Sequence, residues 1–258
     1  MTYKYDEKTS RATEKAYQAP QIAQQREATL RTINPAAGEC GLDVGCGPGM
    51  LLAKLAEAVG PRGHVTGVDL SQSMLELAGA RCEGLSQVAL RQGSATALPL
   101  DDAAFDFVTC VQVLLYVDDV ALALDEMRRV LRPGGRVYVM ETDWRSAVLN
   151  CDDPGTADSV FGAWDKTVSS PNLPIRLQAL LSQARFRDVA VQVVPLLSTT
   201  MDEYAGAMLK QLAREACTQG VMSRDQADRW WAQLKALDKA GEFFFCVNRF
   251  AFSASVRD

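Results

Sequence analysis

The chain has one histidine, His64, among 258 residues. It opens a short apolar run that reads as a strand, so catalysis built on an imidazole base is not expected. Basic residues are outnumbered, 27 Lys and Arg against 32 Asp and Glu, for a net charge of −5. With no basic run, nucleic acid is not expected as a substrate. No apolar stretch approaches the roughly 20 residues that a membrane-spanning helix needs. Met1 to Arg11 is polar and mixed in charge, unlike a signal peptide. No two of the seven cysteines have Cys-x-x-Cys spacing, and the count is odd. Neither a zinc site nor a disulfide framework is expected, and a reducing cytoplasm fits. Cys40, Cys110 and Cys246 lie in strand-like runs and read as small core hydrophobes.

What is present is concentrated in two segments. Residues 42–49 read Leu-Asp-Val-Gly-Cys-Gly-Pro-Gly, and Asp69 follows the last glycine by twenty positions. An apolar strand runs into a loop with glycine at 45, 47 and 49. A helix with Leu51, Leu52 and Leu55 on one face follows. Such glycines let the backbone approach a ligand, and the helix N-terminus adds free N–H groups. Asp69 ends a second strand, where a carboxylate can accept both hydroxyls of a ribose. The pair predicts a site for an adenosine-containing cofactor. The dinucleotide fingerprint is Gly-x-Gly-x-x-Gly. Gly45-x-Gly47-x-Gly49 is one residue shorter, which disfavours a nicotinamide dehydrogenase.

Asp43-x-Gly45-x-Gly47-x-Gly49 resembles motif I of the class I S-adenosylmethionine (SAM)-dependent methyltransferases. Gln92-Gly93-Ser94-Ala95-Thr96-Ala97-Leu98-Pro99-Leu100 looks like that family's Gly-Asp-Ala-x-x-Leu-Pro segment. Phe105 to Gln112 looks like its strand 4, and Leu131-Arg132-Pro133-Gly134-Gly135 like the turn before strand 5. The nearest resemblance is to the branch with the ubiquinone and menaquinone C-methyltransferases and many natural-product methyltransferases, over roughly residues 17–144. It implies SAM as cofactor, S-adenosylhomocysteine as product, and in-line methyl transfer to a small, aromatic or apolar metabolite on O, N or C. The same fold with non-methyl chemistry or a regulatory role is the alternative. Arsenite methyltransferases hold arsenic on several cysteines. Here Cys151 and Cys217 offer a spaced pair with no evident third thiol.

The resemblance also implies roles by position. Gly45, Cys46, Gly47 and Gly49 touch the methionine and ribose parts, Asp43 braces the loop, and Asp69 takes the ribose. Leu70 and Met74 flank the adenine, with Met74 as plain core the alternative. Ser94 stands where the family often has Asp, and with Ala95 meets the adenine edge. Gln112 lies near the sulfonium. Tyr17 and Arg26 stand on an N-terminal helix over the cofactor, where the guanidinium either pairs with the methionine carboxylate or lies on a solvated face. Tyr116, Glu141 and Asp143 are the catalytic candidates. Glu141 or Asp143 would serve as proton acceptor, with structural hydrogen bonding as the alternative. Tyr116, Trp144, Trp164, Arg176, Met208, Phe244 and Asn248 are candidates for the acceptor pocket. No metal is called for.

Strand–helix alternation predicts an α/β, Rossmann-like, seven-stranded, mostly parallel sheet with helices on both faces. Strands are expected near 40–45, 64–69, 87–92, 105–111, 136–142, 189–197 and 242–256, the last antiparallel by resemblance. Helices are expected near 17–33, 49–59, 71–82, 118–131 and 173–184. Ser73 with Glu76, and Ser223 with Gln226, have capping-box spacing. The expected division is a helical cap at 1–36, a SAM-binding core at 37–198 and 241–258, and a helical lid at 199–240. A monomer or homodimer is expected.

Overall fold

The computed structural model describes residues 14–15 and 17–257. The reading of Met1 to Arg11 lies outside them. Seven strands form one sheet: β1 Cys40–Val44, β2 His64–Asp69, β3 Val88–Gln92, β4 Phe105–Val111, β5 Leu131–Leu149, β6 Arg187–Ser198 and β7 Phe245–Ser255. Their order is β3-β2-β1-β4-β5-β7-β6. The first five run parallel, and β7 is antiparallel to both neighbours. This is the expected Rossmann-like sheet. Its order reverses beside β1, so the carboxyl ends of β1 and β4 open a crevice.

The helices are α1 Pro20–Ile33, α2 Met50–Val59, α3 Gln72–Arg81, α4 Val120–Val130, α5 Pro154–Asp165, α6 Pro174–Gln183, α7 Glu203–Thr218 and α8 Arg224–Ala240, with a 3-10 turn at Leu114–Tyr116. Pro20 starts α1, where its missing N–H is harmless. Ile22 and Ile33 turn inward with Gln25 and Thr29, and Leu30 is only half-buried. α2 buries Leu52, Leu55 and Ala56, and α4 buries Leu124, Met127 and Val130. Two apolar cores thus sandwich the sheet. β1 is covered on both faces, which suits its run of buried residues.

Boundaries of two elements differ from expectation, and β5 already begins at Leu131, within the segment read as the turn before it. β5 runs to Leu149 rather than ending near 142 and pairs with β7 again at Val148 and Leu149, past a register shift after Asp143. The N-cap of α3 is Ser71, whose hydroxyl accepts from Met74 N, whereas Ser73 lies inside the helix. The reason is that Asp69 accepts from Ser71 N and turns the chain at that residue. The second capping box forms as read. Ser223 N donates to Gln226 Oε1 at 2.7 Å, and Gln226 N to Ser223 Oγ at 3.2 Å.

A third apolar core lies beyond the sheet. α5, α7 and α8 pack there around Trp144, Trp164, Trp230, Phe243 and Phe245. Trp144 meets Trp164 edge-on at 6.0 Å between ring centroids and stacks on Phe161 at 6.3 Å. Segment 199–240 therefore packs on α5, and the layer abuts Tyr17, Ile22 and Tyr116. No described helix is long and apolar enough to cross a membrane.

Removal of the Ser223 hydroxyl leaves Gln226 N without its acceptor, while the Ser223 backbone N–H can still donate to Gln226 Oε1. Ser223→Ala is expected to lower the unfolding free energy by about 1 kcal/mol in urea titration. An unchanged midpoint would show that α8 does not depend on its cap.

Candidate functional site

β1 ends at Val44 and the chain turns through Gly45, Gly47 and Gly49, all with positive φ (68°, 52° and 77°). The turn is tied to β2. Gly45 N and Cys46 N both donate to Val68 O, at 2.7 and 3.0 Å. Gly47 N donates to Asp69 Oδ2 at 2.9 Å, and Ser71 N to Asp69 Oδ1 at 2.8 Å. Each carboxylate oxygen has a second lone-pair direction, so Asp69 retains acceptor capacity. A Cβ on Gly47 would meet open space, whereas one on Gly49 would come within 2.9 Å of Ala78 Cα. Gly47 keeps the floor of the site low, and Gly49 lets α2 and α3 approach. Burial pushes the Cys46 thiol well above its ordinary value, which removes it as a nucleophile.

The loop floors a cavity of about 730 Å³. Twelve of the thirteen expected cofactor residues line it: Tyr17, Arg26, Asp43, Gly45, Cys46, Gly47, Asp69, Leu70, Met74, Ser94, Ala95 and Gln112. Gly49 does not. Leu70 stands at the rim and Met74 is buried behind it. The Ser94 hydroxyl already shares a 2.8 Å hydrogen bond with Thr96. Gln112 has a left-handed backbone (φ 60°) and accepts from the Thr142 hydroxyl at 2.6 Å. Arg26 Nη1 donates to Tyr17 O at 2.7 Å, which joins the start of α1 to the rim. Burial, then the neighbouring Arg81 charge, lowers the Arg26 pKa.

The catalytic and acceptor candidates divide. Tyr116 lines the cavity. Glu141 does not: it is fully buried, and Oε1 accepts from Val113 N at 3.0 Å and Leu114 N at 2.7 Å. Its work is to hold the 3-10 turn that ends in Tyr116. Asp143 is bound by Arg145, Nη2 to Oδ2 at 2.5 Å and Nε to Oδ1 at 2.9 Å, outside the cavity lining. Trp144 and Trp164 lie in the third core, and Met208 packs against it. Arg176 and Phe244 are exposed, and Asn248 pairs with Asp143 and Pro195 across β7. None of these six lines the cavity, nor does any residue of 199–240. The lining does include Gln25 and Arg249, which the sequence reading missed. Arg249 occupies an inward phase of β7, between the buried Val247 and Ala251. A charged residue in the buried phase of a strand was the available signal.

Two buried carboxyls dominate the electrostatics. Asp43 is raised to about 7, mainly by burial and also by the Asp69 charge, against the Thr109 hydroxyl bonded to it at 2.8 Å. Burial likewise raises Glu141 to about 8. Both ordinary values lie near 4. Between pH 4 and 8 the folded chain therefore binds more protons at these groups than the unfolded chain, and their contribution to stability falls as pH rises. Glu126 is shifted the opposite way, held low by its hydrogen bonds from Arg129. The melting temperature is expected to fall between pH 5 and 8, with a flatter slope in Asp43→Asn and Glu141→Gln; identical slopes in all three proteins would contradict the shifts. Gly49→Ala is expected to lower the melting temperature more than Gly47→Ala, because it adds a backbone clash to the same φ strain. Equal losses in thermal unfolding would count against that division.

Residues 42–139 match the family model described as "Methyltransferase domain". An uncharacterised 37.1 kDa protein in transposon TN4556 of Streptomyces fradiae is 36% identical over 229 residues, 87% of this chain and 65% of that protein. Demethylmenaquinone methyltransferase of Staphylococcus epidermidis is 44% identical over 117 residues, 45% of this chain and 48% of its own length. The chain thus spans between about half and two thirds of these relatives. Among solved structures, phosphoethanolamine N-methyltransferase 2 of Haemonchus contortus superposes with a TM-score of 0.65 at 20% identity, over 98% of this chain and 59% of that one. Sheet order, glycine loop and domain match agree: the chain carries a methyltransferase domain over residues 42–139, which resembles that of the class I SAM-dependent quinone methyltransferases.

Proposed function

We propose that the cavity binds SAM and that the protein transfers the methyl group to a small, mostly apolar or aromatic acceptor. The observation that carries this reading is the placement of Asp69. Its carboxylate is fixed by Gly47 N and Ser71 N at the cavity wall, beside a loop with no side chain at Gly47 to obstruct it. That arrangement suits a ribose diol and an adjacent chain, and the loop is too short to cradle a pyrophosphate as the dinucleotide motif does. When bound, the cofactor supplies an electrophilic methyl group on a sulfonium. The chain supplies position and a dry wall. Arg26 would hold the methionine carboxylate, Met74 and Leu70 the adenine faces, and Ser94 with Ala95 its edge. Gln112, locked by Thr142 and by its own bond to Met140 O, marks the methyl-transfer region. Tyr116, held by the turn that Glu141 caps, would orient the acceptor.

The acceptor class rests on the wall itself, in which Ile22, Val111, Val113 and Val117 are apolar. The Staphylococcus relatives are named for demethylmenaquinone, but that similarity covers only 117 residues. We further propose a cover built of 199–240 with α5, which acts on the cavity through Tyr17, Ile22 and Tyr116 rather than by lining it. The reading carries a cytoplasmic setting and a monomer or homodimer.

Calorimetric titration of S-adenosylhomocysteine into wild type and Asp69→Ala tests the reading. Loss of the charge-assisted bonds to the ribose, taken as a net of about 1.5–3 kcal/mol, is expected to weaken binding roughly 10- to 100-fold. NADH should give no signal. Equal affinity in the two proteins, or binding of NADH alone, would contradict it.

A further inference from the structure

We propose that Arg249 is the anchor for an anionic group on the methyl acceptor, a carboxylate or a phosphate ester. This inference rests on the cofactor reading above and names the acceptor class within it. Arg249 lines the cavity from β7 and is 95% buried, at 5% exposure. Its hydrogen-bond partners are neutral. Nη1 donates to Gln25 Oε1, Nη2 donates to Tyr204 Oη at 3.2 Å, and the guanidinium lies 6.0 Å from the Tyr204 ring centroid. Nε is buried with no partner. Among the described residues no carboxylate pairs with it.

Arg249 is the one fully buried arginine among the described residues; half-buried Arg26 and Arg128 also have no carboxylate partner, whereas four others do. Arg136 is paired with Glu39, Arg132 with Asp106, Arg129 with Glu126 and Arg81 with Glu14. A buried cation without a counter-charge is expensive for a fold, and apolar replacement of such a group is often neutral or stabilising. Glu141 is the carboxyl whose charge Arg249 influences, but it is itself bound to the Val113 and Leu114 N–H groups and burial raises it to about 8. It makes no ion pair with the guanidinium, and burial disfavours its charged form.

Position separates Arg249 from the cofactor's own carboxylate. Arg26 stands beside Arg81, which donates to Pro48 O in the glycine loop. Arg249 is cross-strand from Thr142, and the Thr142 hydroxyl bonds Gln112. Gln112, Thr142 and Arg249 thus form a row across the carboxyl edge of the sheet. Two strand spacings, about 10 Å, separate its ends. One substituted ring bridges that span, with its anionic group on the guanidinium fork and its nucleophile toward Gln112. Gln25, being an amide, can turn its NH2 group toward the same anion.

The test uses the full chain saturated with S-adenosylhomocysteine. Benzoate, phenyl phosphate and benzyl alcohol are titrated by calorimetry into wild type and Arg249→Met. Wild type is expected to bind at least one of the two anions about tenfold or more tighter than the alcohol. Which anion is preferred distinguishes carboxylate from phosphate. Arg249→Met is expected to lose that preference while its S-adenosylhomocysteine affinity stays within about threefold of wild type and its melting temperature is unchanged or higher. Equal binding of all three probes by wild type, or an undiminished preference in the variant, overturns the proposal. A parallel loss of S-adenosylhomocysteine affinity in Arg249→Met overturns it too, because Arg249 would then serve the cofactor. If Arg249→Met does not fold, Arg249→Lys carries the test. A cation without the fork should weaken the anions about fivefold or more at unchanged cofactor affinity, and undiminished binding overturns the proposal. Failure of wild type to bind S-adenosylhomocysteine at all is a separate result, and overturns the cofactor reading itself.

Discussion

The bond between the glycine loop and β2 is the constraint on which the site depends. Two loop N–H groups share Val68 O, and a third reaches Asp69. Those bonds fix where the chain leaves the sheet, and so where α2 begins. They also hold the carboxylate of Asp69 at the mouth rather than in solvent. The positive φ values at Gly45, Gly47 and Gly49 are the backbone condition for this path. Asp43 sits below, buried and bonded to Thr109, and so couples the loop to β4 through the core. Loop, β2 terminus and β4 are one hydrogen-bonded unit, and the cavity is the space above it.

The second half of the chain acts on that space from outside. α5, α7 and α8 have their own apolar core, and β5 and β7 extend beyond the parallel sheet to reach it. Contact with the cavity comes at few points. Tyr116 is set by the turn that Glu141 holds, and Tyr204 of α7 bonds Arg249. The two groups thus have different work: Glu141 shapes backbone, whereas Arg249 lines the cavity.

Legibility in the sequence followed the scale of the physical signal. The sheet and the glycine loop are readable because glycine spacing and apolar alternation are local constraints, whereas the antiparallel last strand follows only from the family resemblance. Of the thirteen residues expected at the cofactor only Gly49 does not line the cavity, since a glycine needed for helix packing looks the same in sequence as one needed for a ligand. Trp144, Trp164 and Met208 were read as pocket because a large apolar residue beyond the sheet suits a binding site and a separate core equally well. Asp143 reads in sequence as a base candidate or a structural hydrogen-bonding group, and only the fold shows Arg145 gripping it. Ser73 was read as a cap because its spacing to Glu76 is right, but Asp69 places the turn at Ser71. Arg249 was passed over although it breaks the apolar phase of β7.

A crystal structure with S-adenosylhomocysteine is the most direct test of the site. The ribose hydroxyls should lie on the Asp69 carboxylate, the adenine edge beside Ser94 and Ala95, and the homocysteine over Gly45 to Gly47 with its carboxylate toward Arg26. A nucleoside bound away from Asp69, or a homocysteine chain directed elsewhere than over the glycine loop, would contradict it.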